Sequence, residues 1–303
     1  MSQDDETPQE QLGETDSPVE DDLEEAFVSQ VTEGTQKLHR TWREIAVTGF
    51  LGGVDVGVGV TALLLVVDAT GSQLLGGLAF GIGFLTLLLG RGELLTEGFI
   101  VPVMTVAAGR ASLLQLLRLW TGTFVFNLVG GWLMMWLVMT ALPRLADTVG
   151  KSAAHFSHAP LSMETAALAF VAGAVITLMT RMHHGTDEDV AKIVAAFAAG
   201  FLLAGAELFH SVLDSLIIFG ALHAGTGDVT VGQWAIFVAW VVPLNLLGGF
   251  LMVALPRIIR SWDRLRLERR AAAQGLPVGE LPDEPGGGRE AGGRGASGLP
   301  SGA

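Results

Sequence analysis

Gly92–Phe99 reads "GELLTEGF" and Ala206–Leu213 reads "AELFHSVL". The two stretches share the frame E-L-[LF]-[TH], lie 114 positions apart, and each sits inside a long apolar run. A glutamate and a second polar group at membrane depth are costly unless protein or water meets them. Interrupted helix is tolerated there only where it is buried in protein or lines a cavity. Working outward, six apolar runs appear: Ala46–Val67, Leu74–Ala108, Leu119–Leu142, Thr165–Met182, Val190–Leu222 and Gln233–Leu255. The second and fifth run well past the about 20 residues that one crossing needs. They hold the interruptions, with Arg91, Gly92, Glu93 and Glu97 in one and Gly205, Glu207, His210 and Asp214 in the other.

The repeat extends beyond the two opening stretches. "FNLVGGWLM" at Phe126–Met134 matches "LNLLGGFLM" at Leu244–Met252, and "ALPR" closes both halves. Each half has three crossings, an odd number, so the second half enters the membrane inverted. The expected fold is therefore all-α and polytopic, with six transmembrane helices in two inverted three-helix repeats, residues 43–144 and 164–257, whose second and fifth helices are broken. Such repeats place a solute site at the midplane where the halves meet. Thr96 and His210 then hold equivalent positions and approach each other there. Glycine pairs at i, i+4, Gly53 with Gly57 and Gly77 with Gly81, suit close helix contact.

The acidic balance, a net charge of −13, resides in the N-terminal stretch: residues 1–25 hold eleven Asp and Glu and no Lys or Arg. The expected organisation is a disordered acidic tail over 1–36, a six-span domain over 37–262, and a Gly/Pro/Arg-rich tail over 263–303. Basic residues cluster on one side: Lys37, Arg40 and Arg43, then Arg110 and Arg118, Arg181 and Lys192, and Arg257 onward. The other side's short loops carry Arg144 and Lys151, so both termini are expected in the cytoplasm, with the chain in the cell's inner membrane. The chain has no cysteine, which excludes disulfides and thiol chemistry. No nucleotide-binding loop and no nucleophile–base arrangement argues for an enzyme.

At the breaks, His210 can offer a proton or a positive field, because free imidazole titrates near about 6.5. Thr96 can donate or accept one hydrogen bond. Glu93 and Glu207 read as structural, their carboxylates accepting from backbone amides that the breaks release. Asp55, Glu97 and Asp214 have three open readings: pairing with Arg91 or Arg181, facing a wet vestibule, or being protonated. Phe84 and Phe201 are candidate apolar constrictions. His183 and His184 with Asp187 and Glu188 read as a solvated loop rather than a metal site, as do His155 and His158 on the outer side.

These motifs, in this order, resemble the formate/nitrite transporter family. Its E-L-F-T reads Glu93-Leu94-Leu95-Thr96, its H-S-V-A-N reads His210-Ser211-Val212-Leu213-Asp214, and its paired G-N-x-x-G-[GA] motifs surround Asn127 and Asn245. "GFLGGVDVGVG" fits the family's first helix. The resemblance implies an aquaporin-like protomer assembled as a homopentamer, with His210 and Thr96 facing each other in its pathway; Ser211, Glu97 and Asp214 are further candidates for that pathway, and Glu93, Glu207, Asn127 and Asn245 for bracing the breaks. It implies a small solute, a monocarboxylate or nitrite, crossing the lipid bilayer with a proton past the histidine. It implies no cofactor and no nucleic-acid partner. The sequence departs from the pattern at Phe209, where the family has glutamate, at Asp214 and at Glu97, and the family's lysine before the fourth crossing has no clear match. These departures resemble the YfdC-like subgroup. They also leave two rivals: a proton-linked path for a cation or neutral solute, and a non-transporting scaffold with the same fold.

Overall fold

The computed structural model describes residues 18–96 and 98–280. Glu97, the acidic stretch before Pro18 and the tail from 281 onward lie outside the described residues. Twelve α-helices are described: α1 (Pro18–Leu38), α2 (Trp42–Thr70), α3 (Gln73–Gly90), α4 (Ile100–Ala107), α5 (Leu113–Ala141), α6 (Ala146–Ser157), α7 (Met163–His183), α8 (Asp189–Gly205), α9 (Leu213–Ala224), α10 (Val231–Gly249), α11 (Leu255–Arg260) and α12 (Trp262–Ala273). Five helical segments, α2, α3, α5, α7 and Val231–Arg260, are long and apolar enough to cross a membrane. The second crossing is completed by α4, and the remaining crossing is divided between α8 and α9. The protein is thus a multi-pass helical membrane protein of six crossings, the second and fifth broken.

The four unbroken crossings begin alike. Thr41 with Glu44, Ser112 with Gln115, Ser162 with Thr165, and Thr230 with Gln233 each form a reciprocal cap. Two of the amides freed at each helix start are thereby satisfied by side chains. The half-helices α4 and α9 have no such cap from the residue before them. The last crossing is less regular than its counterpart α5: it contains Pro243 and passes through a π-helical turn at Phe250–Ala254.

Glycine lets the crossings approach to backbone contact. A Cβ on Gly53 would lie 2.1 Å from the Asn127 carbonyl oxygen, and one on Gly77 2.3 Å from the Gly205 amide nitrogen. In the second half, a Cβ on Gly173 or Gly248 would come within 1.8 Å of a facing carbonyl.

The structure revises the tail boundaries in two places. The N-terminal tail was expected to be disordered to residue 36, yet α1 begins at Pro18 and buries Phe27, Val31 and Leu38 beside α4. The C-terminal tail was expected from residue 263, yet α12 buries Leu265 and Ala271, and its Glu268 pairs with Arg110 just after α4. Both helices are polar overall, and each is held through one narrow apolar face. α6, amphipathic and joining the two halves, was not anticipated either.

His184 and Glu33 tie α1 to the α7–α8 loop, 3.8 Å apart. Neither His183 nor His184 is freely solvated: the His183 ring lies 3.1 Å from the Lys192 carbonyl, and both residues are half-buried. Among the described residues no group of three or more His, Cys, Asp or Glu could hold a metal ion. Burial pushes the His184 pKa below its ordinary 6.5, against the pull of Glu33. Burial pushes the Glu33 carboxyl up, but the charge and hydrogen bond of Lys37, with His184 and Arg40, hold it below 4.5 overall.

Undocked, both groups would bind protons more readily than docked, so docking weakens as pH falls. The His184 contribution is expected to be full above about 6.5 and to fade below it, and that of Glu33 to fade only below about 4.5. Amide protection across residues 25–38, relative to the intrinsic exchange rate at each pH, should fall between pH 7 and 5.5, and His184→Gln should flatten that step. Gly53→Ala is expected to cost about 3 kcal/mol, because backbone faces the new methyl. Gly71→Ala, where a Cβ meets nothing within 4 Å but φ is +68°, should cost about 1 kcal/mol. Thermal unfolding of the two variants checks the difference.

Candidate functional site at the two helix breaks

Both breaks follow the same backbone plan. α3 ends at Arg91 with φ +54°, and α8 is followed by Glu207 with φ +49°, two of the three non-glycine residues in left-handed conformation among those described. A few residues on, each broken strand of backbone is clamped by an asparagine. Asn127 of α5 accepts from the Leu95 amide (3.1 Å) and donates to the carbonyls of Gly49 and Glu93 (both 2.7 Å). Asn245 of α10 accepts from the Ser211 amide (2.9 Å) and donates to the carbonyls of Ala169 (2.8 Å) and Phe209 (2.9 Å). Each carboxamide thus satisfies two backbone groups of a break and one of a neighbouring crossing.

These contacts correct the register of the repeat. Leu95 pairs with Ser211, Glu93 with Phe209, and Arg91 with Glu207, so the two breaks are offset by 116 residues and not 114. Thr96 therefore corresponds to Val212, and His210 to Leu94. The shared E-L-x-[TH] frame is a coincidence of side chains, whereas the left-handed residue and the asparagine clamp follow the backbone.

Although not equivalent, Thr96 and His210 meet. Thr96 Oγ1 lies 2.7 Å from His210 Nε2, and both residues are buried. The Leu213 amide, at the start of α9, donates to His210 Nδ1 at 3.1 Å. Nδ1 is thus an acceptor, so the neutral ring carries its proton on Nε2 and donates to the Thr96 hydroxyl. That leaves the Thr96 proton available to a third group. Asp214 Oδ2 accepts from the His210 amide at 2.7 Å, so this carboxylate braces the turn that carries the histidine. Its Oδ1 and the Ser211 hydroxyl are buried without a hydrogen-bond partner among the described residues.

The remaining candidates separate. Glu93 is buried, but among the described residues its carboxylate accepts from no released amide. Its carboxylate pairs with Lys37 (3.1 Å) and Arg40 (2.8 Å), which fastens the first break to the α1–α2 elbow. Glu207 is half-buried, and among the described residues its carboxylate accepts no backbone hydrogen bond; it lies near enough for its charge to reach Asp214. Among the described residues neither Asp55 nor Asp214 forms an ion pair with Arg91 or Arg181. Asp55 lies instead beside the first break, where a Cβ on Gly92 would come 2.3 Å from its Oδ2. Phe84 is buried, with its ring 5.1 Å from that of Phe80. Phe201, on α8, is 39% exposed. Sequence reasoning missed the ring of Phe209, which directly precedes His210 and packs with Phe156 (5.3 Å), Trp240 (5.6 Å) and His155 (5.8 Å). The only signal for it was the departure from the family pattern at that position.

Asn245→Ala would strand one amide and two carbonyls in the interior. At about 1–3 kcal/mol for each buried group left unpaired, the expected loss is at least about 3 kcal/mol. Trp234→Phe, which removes one donor to Ser215, should cost about 1 kcal/mol. The midpoint of thermal unfolding in detergent separates the two.

Comparisons with known proteins agree with this architecture. The chain is 25% identical over 237 residues to the formate channel BtFdhC of Bacillus thuringiensis, covering 71% of this chain and 86% of that one. It is 22% identical over 271 residues to the uncharacterized transporter YrhG of Bacillus subtilis (strain 168), covering 82% and 97%. Among solved structures, an FNT family ion channel superposes with a TM-score of 0.70 at 19% identity, covering 78% of this chain and 98% of that one. A pentameric formate channel with formate bound superposes with a TM-score of 0.58 at 17% identity, covering 73% and 99%. These likenesses reach the family and not a subgroup. With residues 24–259 matching its family profile, the chain belongs to the formate/nitrite transporter family.

Proposed function

We propose that the protein is a channel or secondary transporter for small monovalent anions or their conjugate acids, of the formate/nitrite class, with passage linked to a proton at His210. One observation carries this reading: a buried polar pair, Thr96 and His210, closes the gap between two interrupted helices beside the apolar core. A free anion is costly in such surroundings, and its neutral acid much less so. The Thr96 hydroxyl and the Nε2 proton offer donors to an arriving anion, and the start of α9 adds the positive end of a helix dipole. The anion held by these donors takes up a proton delivered from the water on the entry side, crosses the apolar stretches as its acid and releases that proton on the far side.

The pentameric relative supports a homopentamer with one pathway per protomer, and the basic loops support an inner-membrane placement with both termini cytoplasmic. Asp214 bears on the rival reading of an acid-lined path. Its Oδ2 is engaged by the His210 amide, which favours a bracing role over a cation ligand. Asp214→Asn should accordingly slow flux no more than it destabilises the turn. Glu97 enters the proposal from the sequence alone.

Proteoliposomes holding purified protein are the test, with formate, nitrite and acetate offered at several pH values. Uptake is expected to rise as pH falls and to drop at least about tenfold in His210→Ala, equivalent to about 1.4 kcal/mol on the barrier. Wild-type flux of potassium or glycerol with none of the three anions would sink the anion reading. No flux of any solute through folded protein would favour the scaffold.

A further inference from the structure

The cytoplasm-facing ends of the last crossings, on the orientation proposed above, carry an arginine cluster that the transport reading does not use. Arg181 stands in the last turn of α7, and Arg257 and Arg260 lie three residues apart on α11, hence on one face. α7 packs on the end of α10 and on the π-helical turn that leads into α11, and a Cβ on Gly249 would lie 2.3 Å from Thr177 Oγ1. Arg257 sits within the field of both Arg181 and Arg260. Among the described residues none of the three forms an ion pair, and the buried Nε of Arg257 has no hydrogen-bond partner. The nearest acid along the chain, Asp263, is exposed and forms no ion pair among the described residues either.

The surroundings of the cluster are apolar and open. Ile259 is 64% exposed, Met252 57%, Met182 47% and Trp262 45%. The Arg266 guanidinium lies 5.4 Å from the centre of the Trp262 ring. Like charges gathered at a helix end, beside exposed aliphatic surface and an interfacial tryptophan, match a group with a negative head and a hydrocarbon tail. We propose that Arg181, Arg257 and Arg260 form a headgroup site for an anionic phospholipid, with its acyl chains along Met252 and Ile259. The cluster on its own would repel itself, and an anionic headgroup relieves that repulsion.

Occupancy reaches the first break through α12. That helix leaves the cluster at Trp262, pairs Glu268 with Arg110, and sets Arg269 against the Ala107 carbonyl at the end of α4. A lipid holding α11 therefore also steadies the half-helix that follows Thr96.

The test uses the full-length protein in phosphatidylcholine nanodiscs, where both leaflets are accessible and neither orientation nor transport enters. Brominated phosphatidylglycerol and brominated phosphatidylcholine are titrated separately, with tryptophan quenching as readout. Wild type is expected to prefer phosphatidylglycerol. The double variant Arg257→Gln/Arg260→Gln should lose preference by about fivefold per arginine, and Arg257→Lys/Arg260→Lys should keep most of it. Unchanged quenching by the phosphatidylcholine probe reports that a variant is folded; should the double variant not fold, Arg181→Gln on the other helix is expected to lose about fivefold. Equal affinity for the two lipids in wild type, or full preference retained in the glutamine variants, would overturn the site. Displacement of phosphatidylglycerol by millimolar inorganic phosphate would overturn the lipid assignment in favour of a free anion.

Discussion

Two interrupted helices inside a membrane protein release amides and carbonyls where no water is at hand, and the rest of the site depends on how those groups are satisfied. Here two asparagines do it, one from the third crossing of each half, each with an acceptor oxygen and two donor hydrogens placed against backbone. The carboxamide is suited to the task because it offers both kinds of partner at once, without a charge that would itself need one. Once the backbone is fixed, the side chains at the breaks are free to do chemistry.

The two halves use that freedom differently. At the first break the buried carboxylate turns outward to Lys37 and Arg40 and anchors α1. At the second it is Asp214, four residues beyond the histidine, that turns inward and holds the histidine's own amide. The inverted architecture is shared, but the charge arrangement is not, and only the second half places a titratable ring at the meeting point. The ring in turn is oriented by the half-helix it precedes, through the Leu213 amide.

Much of this was legible in the sequence, for identifiable reasons. Length and hydropathy locate crossings, and charge inside an overlong apolar run locates breaks, because membrane interiors penalise both unpaired charge and exposed backbone. The N-L-x-G-G repeats pointed to Asn127 and Asn245, and the meeting of Thr96 with His210 followed from inversion even though the register behind it was wrong by two. The error arose because four similar side chains can recur by chance, whereas backbone equivalence is decided by a left-handed residue and a clamp that side-chain matching does not see. α1 and α12 were read as tails because their composition is polar; their docking relies on a few buried residues and on ion pairs across more than 50 positions, such as Lys37 with Glu93 and Arg110 with Glu268.

The glycine contacts have a consequence for the width of the passage. Thr96 is carried by backbone tied to α5, and His210 by backbone tied to α10. The gap between them is therefore governed by how closely entire helices nest, at Gly53 against Asn127, Gly173 against Asn245 and Gly248 against Phe170. Calibre in this fold belongs to residues with no side chain, some distance from the solute. A family built on it can be retuned for larger or smaller cargo by a single methyl at a seam, with the polar pair left untouched.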